Sequence, residues 1–100
     1  MGDIATPDKR FLKAVGENIR RYRKAKGYTL EALGEDIGLD KSNTYRIEQG
    51  KNITLLTLMK IAIFLDVPPQ NLLDIAVHVS MEEVEEIIAV KRKNRKKRPQ

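Results

Sequence analysis

The run Gly38-Leu39-Asp40-Lys41-Ser42-Asn43-Thr44-Tyr45-Arg46-Ile47-Glu48-Gln49-Gly50 leaves this chain little choice of local structure. Gly38 tolerates positive φ, so one helix can end and another begin within a few residues. Asp40 is a good N-cap for the second helix, and Gly50 is a good terminator. Between the caps, over about 41–49, the residues divide into two faces. Leu39 and Ile47 are apolar and belong to a core, whereas Lys41, Ser42, Asn43 and Arg46 carry little surface worth burying. Two helices joined by a tight turn are expected, the second with one greasy face and one hydrogen-bonding face.

The flanking sequence reads as more helices. Phe11, Val15, Ile19 and Tyr22 recur at helical spacing over about 7–26 and form a buried stripe. Thr6 is its N-cap and Pro7 its first residue. Met1 to Thr6 also matches the loose myristoylation pattern, so a capping segment and a lipidation signal are both open there. Thr29 caps a second helix ending near Ile37, with Leu30, Leu33 and Ile37 inward. Gly34 in its middle costs about 1 kcal/mol against alanine, which close helix–helix contact would explain. Thr54 caps a fourth helix carrying Leu55, Leu58, Ile61, Ala62 and Leu65. Asp66-Val67-Pro68-Pro69 breaks it, and Pro69 opens a short fifth helix with Leu72 and Leu73. Residues 74–79 alternate as a short strand or an extended link. Ser80-Met81-Glu82-Glu83 is a capping box opening a last helix with Val84, Ile87 and Ile88. Its acids come first and its bases last, as the helix dipole favours. The tail from Lys91 to Gln100 is low in complexity and is expected to fray.

One hundred residues make one domain, small enough to gain from dimerisation. The chain lacks cysteine, which excludes disulfides and thiolate metal sites and fits a reducing cytoplasm. No apolar run approaches the roughly 20 residues that span a bilayer, and no secretory signal is visible, so no membrane is expected. The net charge of +5 is unevenly spread. Seven basic residues and no acids lie from Lys91 onward, and the rest of the chain is slightly acidic. Within that rest, basicity gathers on the first helix, at Lys9, Arg10, Lys13, Arg20, Arg21, Arg23, Lys24 and Lys26. Two basic patches on a near-neutral body suit a polyanion partner.

Double-stranded DNA is the polyanion that the capped helix fits, because a helix after a Gly turn can lay its polar face in the major groove. Arg46 can bond guanine O6 and N7 together, and Asn43 can do the same to adenine N6 and N7. Tyr45 could bond a phosphate or stack, and could equally shield the loop that follows. His78, the only histidine, has too few companions for a metal site. Glu82, Glu83, Glu85 and Glu86 read as a solvated helical face. No Ser/His/Asp set, Gly-rich phosphate loop or nucleotide fingerprint is present. The chain reads as no enzyme, with no cofactor and no metal.

From Val15 to Leu73 the chain resembles the phage repressor/Cro-like helix-turn-helix family of bacterial transcriptional regulators. The resemblance rests on Gly16-Glu17-Asn18-Ile19-Arg20-Arg21-Tyr22-Arg23, Lys26-Gly27, Thr29, Leu33-Gly34-Glu35 and Gly38, and continues through Ile47-Glu48-Gln49-Gly50-Lys51, Leu55 to Ala62, and Val67 to Leu73. It implies an all-α fold of five packed helices, a homodimer on a two-fold operator, and repression or activation of nearby promoters. It aligns Lys41, Ser42 and Arg46, with Asn43 beside them, on base-contacting positions. Thr29, Lys51 and Asn52 fall on phosphate-contacting positions. It pairs Arg23 with Glu48 as a structural ion pair between the first helix and the end of the third. Four positions depart from the family pattern: Gly34 stands for alanine, Thr44 for a larger apolar residue, Leu30 for glutamine and Ile53 for proline. Leu30 weakens one expected phosphate contact, and Thr44 is expected to satisfy its hydroxyl on the preceding turn.

Residues 1–74 are therefore read as the DNA-binding domain and 75–100 as a C-terminal helical extension ending in a basic tail. Ile75, Val77, Val79, Val84, Ile87 and Ile88 are more apolar surface than a linker needs, so the extension should be buried on something. A second copy is the first reading. The rival is an antitoxin-like module whose extension binds another protein, with DNA binding secondary. The basic tail itself is open between DNA phosphates, an acidic partner or membrane surface, and plain solubilisation.

Overall fold

The computed structural model describes residues 6–75 and 81–96, with only the backbone at 81, 83 and 94–96. The described residues are all-α: α1 (Pro7–Ala25), α2 (Leu30–Ile37), α3 (Lys41–Glu48), α4 (Leu55–Leu65), α5 (Pro69–Leu72) and α6 (Met81–Lys96). Side chains written into the sequence ahead of α1, α2, α3 and α4 start each of them. Thr6, Thr29, Asp40 and Thr54 accept from the backbone N–H of Lys9, Ala32, Asn43 and Thr57 at 3.2, 3.0, 2.7 and 3.1 Å. Each thereby satisfies an amide that has no partner within the helix. At the other end, α4 stops on Asp66, whose φ of 56° is left-handed, as only a short polar side chain tolerates well among non-glycine residues.

The core lies between α1, α2 and α4 and is closed by α3 and α5. Ile19, Leu33, Ile61, Leu65 and Leu72 are fully buried, and Val15, Ile47, Leu58 and Ala62 complete the cluster. Here α1 packs on α3, α4 and α5, while α2 packs on α3 and α4. Tyr28, in the link between α1 and α2, lays its ring 4.6 Å from that of Phe64 on α4.

Two expectations need correction. Phe11, read as part of the buried stripe, is 40% exposed, because it lies a turn beyond the part of α1 that the core covers. Leu55, at the first residue of α4, is 82% exposed and lies outside the core. The tail does not fray at Lys91, since α6 continues to Lys96. Its acid-first, base-last order suits the helix dipole, and a charged helix end needs no apolar partner when its charges complement the dipole. The capping residue Ser80 and the Glu83 side chain lie outside what is described, as do His78, Val77, Val79 and residues 97–100.

Asn18 has a role its sequence context did not announce. It is 5% exposed on α1, and its amide donates to the carbonyls of both Leu72 and Asp74 at 3.0 Å. Its carbonyl accepts from Arg21 Nη2 at 2.8 Å, so each polar atom of the side chain is used. Asn18 thus fastens the end of α5 to α1. Asn18→Ala should destabilise the fold by about 1–3 kcal/mol, because a buried carbonyl is left without a donor. Urea unfolding checks the magnitude, and hydrogen exchange should show faster opening around 72–75.

Candidate nucleic-acid interface

The turn between α2 and α3 is built by close approach. Gly38 has φ +80°, and the Leu39 N–H returns to the Gly34 carbonyl at 2.8 Å. A Cβ on Gly34 would lie 2.5 Å from the Leu39 carbonyl oxygen and 2.7 Å from Thr44 Oγ1. The missing side chain therefore lets the turn and α3 close down on α2. Thr44 is fully buried, and its hydroxyl donates to the Asp40 carbonyl at 2.8 Å. A β-branched hydroxyl residue is accommodated inside the motif because that bond satisfies it.

The other end of α3 is seated on α1. A Cβ on Gly16 would stand 2.6 Å from the carbonyl oxygens of both Ile47 and Glu48, so backbone meets backbone there. Gly50, at φ +110°, packs on the backbone of Lys13. Beside this contact Arg23 Nε donates to Glu48 Oε2 at 2.6 Å and Arg23 Nη2 to Glu48 Oε1 at 3.0 Å. Arg23 Nη1 donates to the Tyr28 carbonyl at 2.8 Å. Both partners are buried, at 7% and 3% exposure. A planar fork held on two carboxylate oxygens fixes orientation as well as distance. The inner face of α3 is thus held at the turn, at its C-terminal end and by an ion pair to α1.

Its outer face is correspondingly fixed in space. Lys41, Ser42, Tyr45 and Arg46 are exposed and, at 100° per residue, fall within one arc of the helix. Asn43 lies round the side and is half-buried. Thr29 at the start of α2, and Lys51 and Asn52 after α3, are exposed on the adjoining segments. Thr29 already caps α2 through its hydroxyl oxygen, which leaves its O–H free to donate outward. Leu30 and Glu31 follow it at the positive end of the α2 dipole.

Lys41 has a neighbour across the turn that sequence spacing does not announce. Its ammonium lies 3.2 Å from Glu31 Oε2, on the α2 side of the turn. The Glu31 carboxyl is held below the usual carboxylate range, first by its own backbone N–H and then by Lys41. Both side chains are more than half exposed, so this is a screened surface pair that an incoming phosphate or base edge can open. Gly16 and Asn18 are visible in the sequence only through their place in the family pattern. A mid-helix glycine in α1 was the available signal for Gly16, the same signal that marked Gly34. Among the described residues no three His, Cys, Asp or Glu side chains gather as a metal site. Among those residues, too, no helix is long and apolar enough to cross a membrane.

The sequence matches the helix-turn-helix family model over residues 19–72, which takes in α2 and α3 entire. It is 40% identical over 62 residues to the HTH-type transcriptional regulator SinR of Bacillus subtilis, an overlap of 60% of this chain and 56% of that protein. The chain thus spans little more than half the length of that curated relative. In three dimensions it is similar to the restriction-modification controller protein C.AhdI from Aeromonas hydrophila, with a TM-score of 0.58 and 37% identity, covering 61% of this chain and 94% of the other. It is also similar to SinR, the master regulator for biofilm formation, as solved in complex with DNA. There the TM-score is 0.55 at 40% identity, covering 60% of this chain and 98% of the other.

Proposed function

This chain belongs to the helix-turn-helix family of phage repressor/Cro-like transcriptional regulators, and we propose that it binds a two-fold DNA operator as a homodimer and thereby regulates transcription. The observation that carries the reading is the rigid seating of α3, with its polar row turned outward. In this reading Lys41, Ser42, Asn43 and Arg46 meet base edges, and Thr29, Tyr45, Lys51 and Asn52 meet phosphates. Phosphate contacts set the register and base contacts the sequence. The Arg23–Glu48 pair keeps α3 at a fixed angle to α1 while that happens. Relatives of this chain support the class: SinR is an HTH-type transcriptional regulator that has been solved with DNA.

The homodimer is supported by surface that a monomer has no use for. Leu55, Leu56, Met59 and Ile63 are exposed along α4, a contiguous apolar row at helical spacing. Residues 1–74 act as the DNA-binding unit, and α4, α5 and residues 75–100 supply the contact between copies, in the cytoplasm where the DNA is. Two α3 helices on one face of the duplex then stand roughly 34 Å apart, one helical turn. Selection of sites from random DNA should return a motif with two-fold symmetry. A motif without symmetry, bound by one copy, overturns the dimeric part of the reading.

Arg46→Ala tests the reading row itself. Affinity for the selected site should fall by about 1–3 kcal/mol, and preference should relax at one position in each half-site. Equal losses on selected and random duplexes would reassign Arg46 to phosphate contact.

A further inference from the structure

The charges of α6 are sorted along its length. Glu82, Glu83, Glu85 and Glu86 occupy its first half, and Lys91, Arg92, Lys93, Arg95 and Lys96 its second. The helix also has two different long faces. Val84, Ile87 and Lys91 face a groove of about 490 Å³ whose other wall includes Pro7, Phe11 and Leu12 of α1. At 100° per residue, Glu85, Ile88, Ala89 and Arg92 form a neighbouring face centred about 120° round the helix, and all four are exposed. That outer face has a small residue beside a large apolar one at its centre, an acid toward one end and a base toward the other.

We propose that this outer face of α6 pairs with the same face of a second copy, antiparallel, about a two-fold axis between Ile88 and Ala89. The inference rests on the homodimer reading above and says where its axis runs. Antiparallel pairing sets Ile88 against the partner's Ala89, where the missing bulk lets the helix axes approach. It sets Glu85 against the partner's Arg92, and by symmetry Arg92 against the partner's Glu85. The acidic half of each helix then covers the basic half of the other. A parallel pair would set acids on acids and bases on bases, which charge patterning at helix seams selects against. A two-fold contact must be self-complementary, and a helix with opposite charges at its two ends is self-complementary in the antiparallel sense alone. The surface does not end at α6. Phe11 and Leu12, which wall its groove, also border the apolar hollow at the start of α4 where Leu55 is exposed.

Charge exchange on the full-length chain tests this. Sedimentation equilibrium at low salt is run on wild type, Glu85→Arg, Arg92→Glu, the double exchange and an equal mixture of the two single variants. Each single variant should dimerise roughly ten-fold more weakly, the size expected when two symmetric exposed pairs change from attraction to repulsion. The double exchange restores both pairs and should return to the wild-type constant. The mixture should form heterodimers in preference to either homodimer. Single variants that dimerise as tightly as wild type would overturn the α6 contact and leave the homodimer standing on another surface. A double exchange as weak as the singles would overturn the antiparallel pairing. A wild type that stays monomeric, free and on its selected DNA, would overturn the homodimer reading and this inference with it.

Discussion

Replacing Glu48 by alanine should cost about 3–5 kcal/mol of folding free energy, a large share of the roughly 5–15 kcal/mol that holds a domain together. The cost comes less from the attraction lost than from the charge left behind. Arg23 is 7% exposed, and without Glu48 its Nε and Nη2 donors face protein with no acceptor. Its remaining bond, from Nη1 to the Tyr28 carbonyl, cannot neutralise it. Removing both charges together, as Arg23→Met with Glu48→Met, should do less harm than the two single losses added, because no ion is stranded in the double variant. Guanidinium unfolding of the four proteins gives the coupling directly. A Glu48→Ala variant within about 1 kcal/mol of wild type would mean that the glycine contacts at Gly16 and Gly50 alone hold α3 in place.

That pair shows which parts of the molecule the sequence could disclose. Helix starts were legible, because Thr6, Thr29, Asp40 and Thr54 each act on an amide three residues away. The turn was legible in the same way: Gly38 was expected to take positive φ, and it does. Arg23 and Glu48, twenty-five residues apart, are brought together only by the packing of α3 on α1. Spacing alone could not join them, and it was the family pattern that named them as partners. Asn18 is a plainer case of the same limit. Its bonds run to carbonyls more than fifty residues away, and a polar residue on a helix otherwise reads as solvated.

The misplacement of Phe11 has a physical cause. Helical periodicity assigns a residue to a face, but it does not say how far along the helix that face is covered. Phe11 sits on the right face of α1, at an end that outruns the core of this chain taken singly. Ile88 is similar on α6. Exposed residues of this kind are where a second surface is expected. The charge run from Lys91 misled in the opposite direction. It reads as disorder when judged by hydrophobicity, yet its bases follow four acids in a pattern that stabilises helix.

The continuation of α6 also sharpens what its basic end should do on DNA. Lys91 and Lys93 are exposed on the described helix, and Lys97 and Arg98 follow it in sequence. Changing these four to glutamine keeps Glu85, Ile88, Ala89 and Arg92, the centre of the inferred contact between copies, and thins only the charge around it, so sedimentation of this variant is run beside the titrations. Any of the four that meets a phosphate contributes about 0.9 to the slope of log affinity against log salt. If all four do, the salt-dependent part of the loss over an about four-fold range of salt should be ~100-fold for each copy bound. The loss should be nearly equal on selected and random duplexes, and the selected motif should not change, because α3 is untouched. Arg46→Ala should behave in the opposite way, losing discrimination with little change of slope. Titrations of both variants across salt, on both duplexes, separate the two kinds of contact. An unchanged slope in the glutamine variant would show that these charges never reach DNA, and would leave them to solubility or to an acidic protein surface.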